Sequence, residues 1–491
     1  MTSPAGTTVS RVGARAASGA AWNLSLGLLV RGVALLGTLA IARYVAPTDY
    51  GNVTAAAICV ATATHILTFG AGAYAIARRS DPRETFELGS LHVLAVGAAC
   101  LAVTVFAGPL GIAVGAPGMG RYLPWLAMAT FIGQSSHIAG ATLVRDLHFK
   151  VVALSRALSE LSFTAVAIAL APFFGAAAIV AGNLARAFVL SGLLVTRSNR
   201  RAWWAPAPIR FNTIRSLLRF GGPIAGTNVA TDLASQWDNL LMSRLFGPAV
   251  LGQYNLAYNL AATPSTSIAE NIGDVLEPSF ALVDPARRRQ EAARAAGLMS
   301  LVLAPMALGI AAVSAQLVPL VFNPRWQPMV PMLVVLSALS LARPATWIVD
   351  AILRLRLRTE LLLALELLKA VAVLGGIAML GPAGPVFACA AVPIAFALHG
   401  VAAVFVAWRV ERIPAIQLFG AVARPTVAAA LMALLVAGVP LVSRALGLPT
   451  GWFEVVLQVV IGALSYGALS WLIARSTLEE FVALARQALT Q

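Results

Sequence analysis

The stretch Ala42-Arg43-Tyr44-Val45-Ala46-Pro47-Thr48-Asp49-Tyr50-Gly51 closes a long apolar run. It is echoed 201 residues later by Ser243-Arg244-Leu245-Phe246-Gly247-Pro248-Ala249-Val250-Leu251-Gly252. Arg, Pro and Gly hold the same places in both. A helix end followed by Pro and then Gly is common punctuation, so one copy carries little. Two copies in register, each after a membrane-length segment, predict a chain built from two similar halves. Repeated halves of hydrophobic helices are how secondary transporters frame a central site that opens to alternate sides.

Composition agrees. Of 491 residues, 59% are hydrophobic and only 11% charged, and the mean hydropathy is +0.83. A soluble globular chain carries about a quarter of its residues as charges, so this is an integral membrane protein. The net charge of +15 would suggest nucleic acid in a soluble protein. Here the arginines fall in short loops between apolar runs, which fits a membrane and no nucleic-acid partner. Cys59, Cys100 and Cys389 lie far apart inside apolar segments, without metal or disulfide spacing, and read as small packing residues. The first nineteen residues are polar and Ala-rich, which predicts a first helix retained as a signal anchor and not a cleaved peptide.

About twenty apolar residues cross a bilayer as a helix, and this ruler predicts about fourteen spans. The fold class expected is all-α: two parallel-related six-helix bundles plus two C-terminal helices. The bundles fall at 1–196 and 221–408, joined by a basic linker at 197–220; the extra pair occupies 409–475 and an amphipathic tail 476–491. Loops after even-numbered spans carry clusters such as Arg78, Arg79 and Arg83, or Arg287, Arg288 and Arg289. Loops after odd-numbered spans carry one arginine or none: Arg43, Arg121, Arg244, Arg325, Arg444. Such one-sided clustering puts both termini in the cytoplasm. The repeat continues after the fourth and tenth spans, where Arg145-Asp146-Leu147-His148 aligns with Arg354-Leu355-Arg356-Leu357 at an offset of 209. An even number of spans per repeat keeps the two copies in the same orientation. Linker and tail both pattern as amphipathic helices lying on the anionic inner leaflet.

Polar groups at membrane depth are the candidate site. Span seven, at 221–246, carries Asn228, Asp232, Ser235, Asn239 and Ser243 at steps of three and four, one stripe on a continuous helix. Span eight, at 251–276, carries Asn259, Thr263, Thr266, Glu270, Asp274 and, just beyond it, Glu277. Hydrogen bonding between helices explains Asn, Ser and Thr. Two adjacent stripes that include acids favour a water-filled cavity instead. Arg31 sits near the middle of span one, and its counterpart at the 201-residue offset is Asp232. Either the two neutralise each other, or Arg31 offers charge to an anionic substrate. Arg156 with Glu160, and Glu366 with Lys369, have the spacing of local ion pairs. Arg343 and Asp350 share a face of span ten and are expected beside Gln134 and His137 of span four. The loops hold no paired carboxylates, metal-ligand cluster or phosphate cradle. No catalytic residue, metal or cofactor is expected.

These residues resemble a family. Trp22, Arg31, Ala42-Arg43, Pro47 and Asp49-Tyr50-Gly51 look like the opening of Wzx-type oligosaccharide flippases, of the polysaccharide transport branch of the multidrug/oligosaccharidyl-lipid/polysaccharide superfamily. Arg145 to Lys150 is similar to their loop after the fourth span. Gly247-Pro248, Leu251-Gly252-Gln253-Tyr254 and Ala257 are similar to the start of their second half. Ala46 departs from the pattern, which has Gly before the Pro. The resemblance implies translocation of undecaprenyl-diphosphate-linked sugars across the bacterial inner membrane, with membrane lipids and other polysaccharide-assembly membrane proteins as partners. It implies that membrane arginines hold the diphosphate, which suits Arg31, Arg343 or Lys369. Asn228, Asp232, Ser235, Asn239 and Asn259 would then meet the sugar, and Glu270 or Asp274 an ion. The rival readings are a drug/cation antiporter of the same superfamily and a membrane glycosyltransferase or polysaccharide ligase. The latter would need a catalytic acid or base in a sizeable outer loop.

Overall fold

The computed structural model describes residues 30, 32–34, 36–78, 80–282 and 285–490, with several helical side chains, most of them between 264 and 286, left undescribed. Every described regular element is helical. Nine described helices are long and apolar enough to cross a membrane, or ten if the bent pair Met329–Leu341 and Arg343–Leu355 is one span. The four other expected spans are of different kinds. The first lies partly outside the described residues. The fourth and seventh are broken, and the eighth, Pro248–Leu282, carries too many polar residues to count as apolar.

The chain divides into two compact units. The first comprises residues through Asp232 with Gly247–Ala249, and the second Leu233–Phe246 with Val250 onward. In the first unit the main helices are α1 (Pro47–Leu67), α2 (Ala71–Arg78), α3 (Pro82–Val105), α4 (Leu123–Ser135), α5 (His137–Arg145), α6 (Phe149–Phe174), α7 (Ala177–Arg197) and most of α8 (Phe211–Ser235). The second contains α9 (Trp237–Phe246), α10 (Pro248–Leu282), α11 (Pro285–Val321), α12 (Met329–Ser337), α13 (Arg343–Leu355), α14 (Thr359–Leu380), α15 (Pro385–Glu411), α16 (Ala415–Ala445), α17 (Trp452–Ile473) and α18 (Arg475–Thr490).

The opening motif places Pro47 at the first turn of α1, where its missing N–H costs nothing. Ala46 is extended, at φ −72°, whereas Gly247 has φ +84°. Only the second copy turns through the left-handed region, so only there is glycine needed. α3 starts on the Asp81 carboxylate, which accepts from the Glu84 backbone N–H at 2.7 Å.

The second repeat is visible in the backbone, with a correction of one residue. Leu147 and Leu357 both adopt positive φ, 62° and 55°. In each loop the following N–H closes back on the carbonyl five residues earlier: His148 on Leu143 at 2.8 Å, Arg358 on Leu353 at 2.9 Å. Arg145 therefore corresponds to Leu355, an offset of 210 and not 209. The charged side chains misled the alignment because the repeated feature is the turn.

The basic linker does not simply lie on a surface. Glu87 of α3, 1% exposed, accepts hydrogen bonds from Thr213 Oγ1 (2.6 Å), Arg210 Nε (2.8 Å) and the Arg210 backbone N–H (3.2 Å). Trp204 packs edge-on to Phe86, and Leu217 joins a core with Tyr74, Leu88 and Ile138. A buried carboxylate needs such partners, and the linker supplies them. α8 then crosses the α1–α2 break so closely that a Cβ on Gly221 would overlap the Phe69 carbonyl.

In the second unit, α11, α13, α15 and α16 enclose a core around Met299, Ile348, Leu353, Val404 and Leu418. Tyr466 of α17 donates to the Leu301 carbonyl at 2.7 Å, fixing the last spanning helix onto α11. Glu480 of the tail pairs with Arg294, while Phe481, Val482 and Leu484 stay exposed.

Candidate functional site

A cavity of about 720 Å³ lies within the first unit, walled by α1, α2 and α4 to α7. Small residues open it: Ala57, Ala61, Gly72, Gly133 and Gly140 line the space. Two helix breaks flank it. α1 ends and α2 begins around Phe69 (φ 39°) and Gly70 (φ 60°), and α4 gives way to α5 at Ser136, whose hydroxyl donates to the Gly133 carbonyl at 2.9 Å. Irregular backbone at membrane depth is tolerated where it is buried in protein or lines a wet cavity.

The polar lining is Thr130, Gln134, Ser136, His137, Arg156, Asn183 and Arg186. Arg186 pairs with Glu160 Oε2 at 3.2 Å, donates to the Asn183 side-chain oxygen and lies over the Phe163 ring at 5.1 Å. The expected Arg156–Glu160 pair is absent. Glu160 instead pairs with the guanidinium reaching across from α7, which the Asn183 amide holds in place. Among the described residues, Arg156 has no hydrogen-bond or ion-pair partner. His137 lies against Gly72, where a Cβ would come within 2.5 Å of its Nε2, and stacks on buried His92 with ring centroids 4.6 Å apart.

Other expected residues are scattered. Arg31 lies outside the described residues, as do the side chains of Glu270 and Asp274. Asp232, in the first unit, bonds His65 Nδ1 at 2.9 Å, a partner 167 residues away that no local spacing could reveal. Asn228 is half-buried and Ser235 exposed. The span-seven stripe is not one straight line, because the helix breaks at Gln236 between α8 and α9.

In the second unit, Asn239 and Asn259 join a ladder of hydrogen bonds. Tyr254 donates to Asp238 (2.6 Å), the Asn239 amide to Asp238 (2.9 Å), Asn255 to Asn239 (2.9 Å) and Asn259 to Asn255 (3.0 Å). Asp238, 3% exposed, anchors the ladder and was missed because it lies off the stripe. Its one signal is its sequence neighbour Asn239. Arg343 is buried over Trp347 (5.5 Å) and Phe396 (5.8 Å). Lys369 pairs with Glu366 at 2.6 Å, as its spacing predicts, and lies 5.4 Å from the same Phe396 ring.

Residues 40–331 match the family described as polysaccharide biosynthesis protein. The chain belongs to that family, and the likeness to Wzx-type flippases seen in the sequence is borne out. It is 25% identical over 350 residues to the lipopolysaccharide biosynthesis protein WzxC of Escherichia coli (strain K12), covering 70% of each chain. It is 26% identical over 292 residues to the succinoglycan biosynthesis transport protein ExoT of Rhizobium meliloti (strain 1021), covering 58% of each. Its fold is that of the lipid II flippase MurJ in an inward closed conformation: the TM-score is 0.71 at 14% identity, over 93% of this chain and 99% of that one. The chain is thus a multi-span membrane protein of the polysaccharide biosynthesis family.

Proposed function

We propose that this protein is a flippase that carries undecaprenyl-diphosphate-linked oligosaccharide across the bacterial cytoplasmic membrane by alternating access, for assembly of surface polysaccharide. The observation that carries the reading is family membership over residues 40–331, in a chain whose polar side chains are held at membrane depth by broken helices. The protein acts by binding and moving its cargo, without catalysis, with both termini in the cytoplasm. Arg31 and Arg343 contact the diphosphate. Asn228, Asp232, Ser235, Asn239 and Asn259 form the polar track for sugar, Lys369 adds positive charge, and Glu270 or Asp274 couples an ion. The Arg343 guanidinium, packed between two aromatic rings, supports its role because desolvation strengthens its pull on an anion.

Deleting the gene tests the reading. The expected result is accumulation of complete lipid-linked repeat units on the cytoplasmic leaflet. A strain that instead lacks one sugar marks a glycosyltransferase, and one that becomes only drug-sensitive marks an antiporter. Normal surface polysaccharide from Arg31→Ala at normal protein level would remove Arg31 from the phosphate site.

A further inference from the structure

We infer that the last spanning helix, α17, shares with α11 and α16 a site that binds one alkali metal cation through Glu454, Gln458 and Gln316. The inference is independent of the flippase reading, because it rests on acceptor oxygens buried inside the second unit. Val456, Val459 and Leu464 of α17 are exposed, whereas Glu454 and Gln458 are 5% and 0% exposed. A polar pair thus faces inward from an apolar span, and at membrane depth such groups need partners.

One partner is set by a proline. Pro440 stands inside α16, and its missing N–H leaves the Val436 carbonyl, four residues earlier, without a helical donor. Gln458 Nε2 takes that place at 3.2 Å. Close packing permits it: a Cβ on Gly462, one turn further along α17, would come within 3.2 Å of the Val436 side chain. A carbonyl only accepts, so the Gln458 amide must present its nitrogen to Val436 and turn its oxygen elsewhere. Among the described residues that oxygen is buried without a hydrogen-bond partner, and so is Glu454 Oε1. Gln316 of α11 brings a third oxygen, 3.5 Å from Gln458 Nε2.

Residues four apart on a helix are neighbours, so two buried acceptors with no donor for either stand side by side on α17. A water could donate to both oxygens, but it would leave the carboxylate charge buried and unopposed. Glu454 lies in the first turn of α17, where the helix end carries a partial charge of roughly +0.5, which offsets about half of that charge. A bound cation satisfies the oxygens and supplies the missing positive charge. The donors are one carboxylate and two amide oxygens, without sulfur or imidazole, and hard cations take such sets. One carboxylate balances a single positive charge, and three side chains fall short of the oxygen shell that calcium requires. Sodium and potassium share the remaining chemistry, and the experiment separates them.

The full-length protein is purified in maltoside micelles with N-methylglucamine chloride as the only salt. Bound radioactive sodium, or rubidium standing for potassium, is then counted per protein. The melting temperature is followed as sodium or potassium chloride replaces N-methylglucamine chloride at constant ionic strength. Wild type is expected to melt higher in one alkali salt, since a ligand of the native state stabilises it, and that salt identifies the occupant. Glu454→Gln is expected to hold one ion fewer and to lose the rise. Gln458→Leu should weaken binding roughly 10-fold or more, as loss of one contact to a charged group implies. Glu360→Gln, at an exposed carboxylate of α14, changes neither reading. The inference is overturned if Glu454→Gln binds as many ions as wild type. It is overturned too if wild type melts alike in all three salts, as it would were Glu454 simply to carry a proton. Should Glu454→Gln fail to fold, ion binding by Gln458→Leu equal to wild type overturns it. Failure here leaves the flippase reading intact, because that reading is judged by the glycolipid of the deletion strain.

Discussion

Gly72 decides where His137 can lie. A methyl group at position 72 would come 2.5 Å from the imidazole, so Gly72→Ala must push the ring off its stack on His92. Such overpacking costs roughly 1–3 kcal/mol, expected as a lowered melting temperature of the purified protein. Glu87 shows the opposite economy, one carboxylate satisfying three donors. Glu87→Ala strands the Thr213 hydroxyl and should cost roughly 1.5–3 kcal/mol, the range for hydrogen bonds to a charged group. The same variant should speed tryptic cleavage after Arg210, because the clamp on the linker is gone. At this scale the sequence exposed Arg156, Glu160, Glu366 and Lys369 and paired the last two correctly, but it missed Arg186 and Asp238 and misassigned the partner of Glu160. Arg156 and Glu160 sit at pairing distance along α6, yet the winning partner, Arg186, arrives from another helix. His65 with Asp232 is the same lesson over a longer gap.

Among elements, the breaks and turns matter more than the spans. Leu147 and Leu357 hold left-handed backbone while their side chains are 61% and 82% exposed. Left-handed strain costs a non-glycine residue about 1–2 kcal/mol, and glycine's extra entropy costs roughly 0.5–1. Strain wins, so Leu147→Gly and Leu357→Gly should each stabilise the protein by about half a kcal/mol. A melting temperature that falls in either variant would contradict the shared turn geometry. Neither turn was legible, since leucine gives no sign of positive φ. The interruptions at Ser136 and Gln236 have no Pro or Gly at either position; each falls in a short polar run, Gln134-Ser135-Ser136-His137 and Ser235-Gln236-Trp237-Asp238-Asn239, whose polar residues read equally well as part of a continuous span. They explain why two spans predicted by length emerge as helix pairs, and why the span-seven stripe is divided.

For the whole molecule, orientation is the property that the arginine pattern predicts and labelling can read. The native cysteines at 59, 100 and 389 are buried, so a cysteine-substituted chain carries little background. Arg121→Cys and Arg325→Cys, on exposed residues of odd-numbered loops, should react with a membrane-impermeant maleimide in intact cells. Arg200→Cys, in the linker, should react only after permeabilisation. Reversed labelling would invert the topology and with it the proposed direction of transport.

Sequence alone determined the membrane class, the repeat and the family, because each is written in composition and in short motifs that survive without neighbours. Apolar length sets where helices run, and Pro and Gly mark their ends. Tertiary structure alone decided which charges meet, where helices break, and that a basic linker is clamped by a buried acid. Those outcomes depend on side chains brought together from helices far apart in the chain, where Coulomb attraction and desolvation choose the partner and sequence spacing has no say.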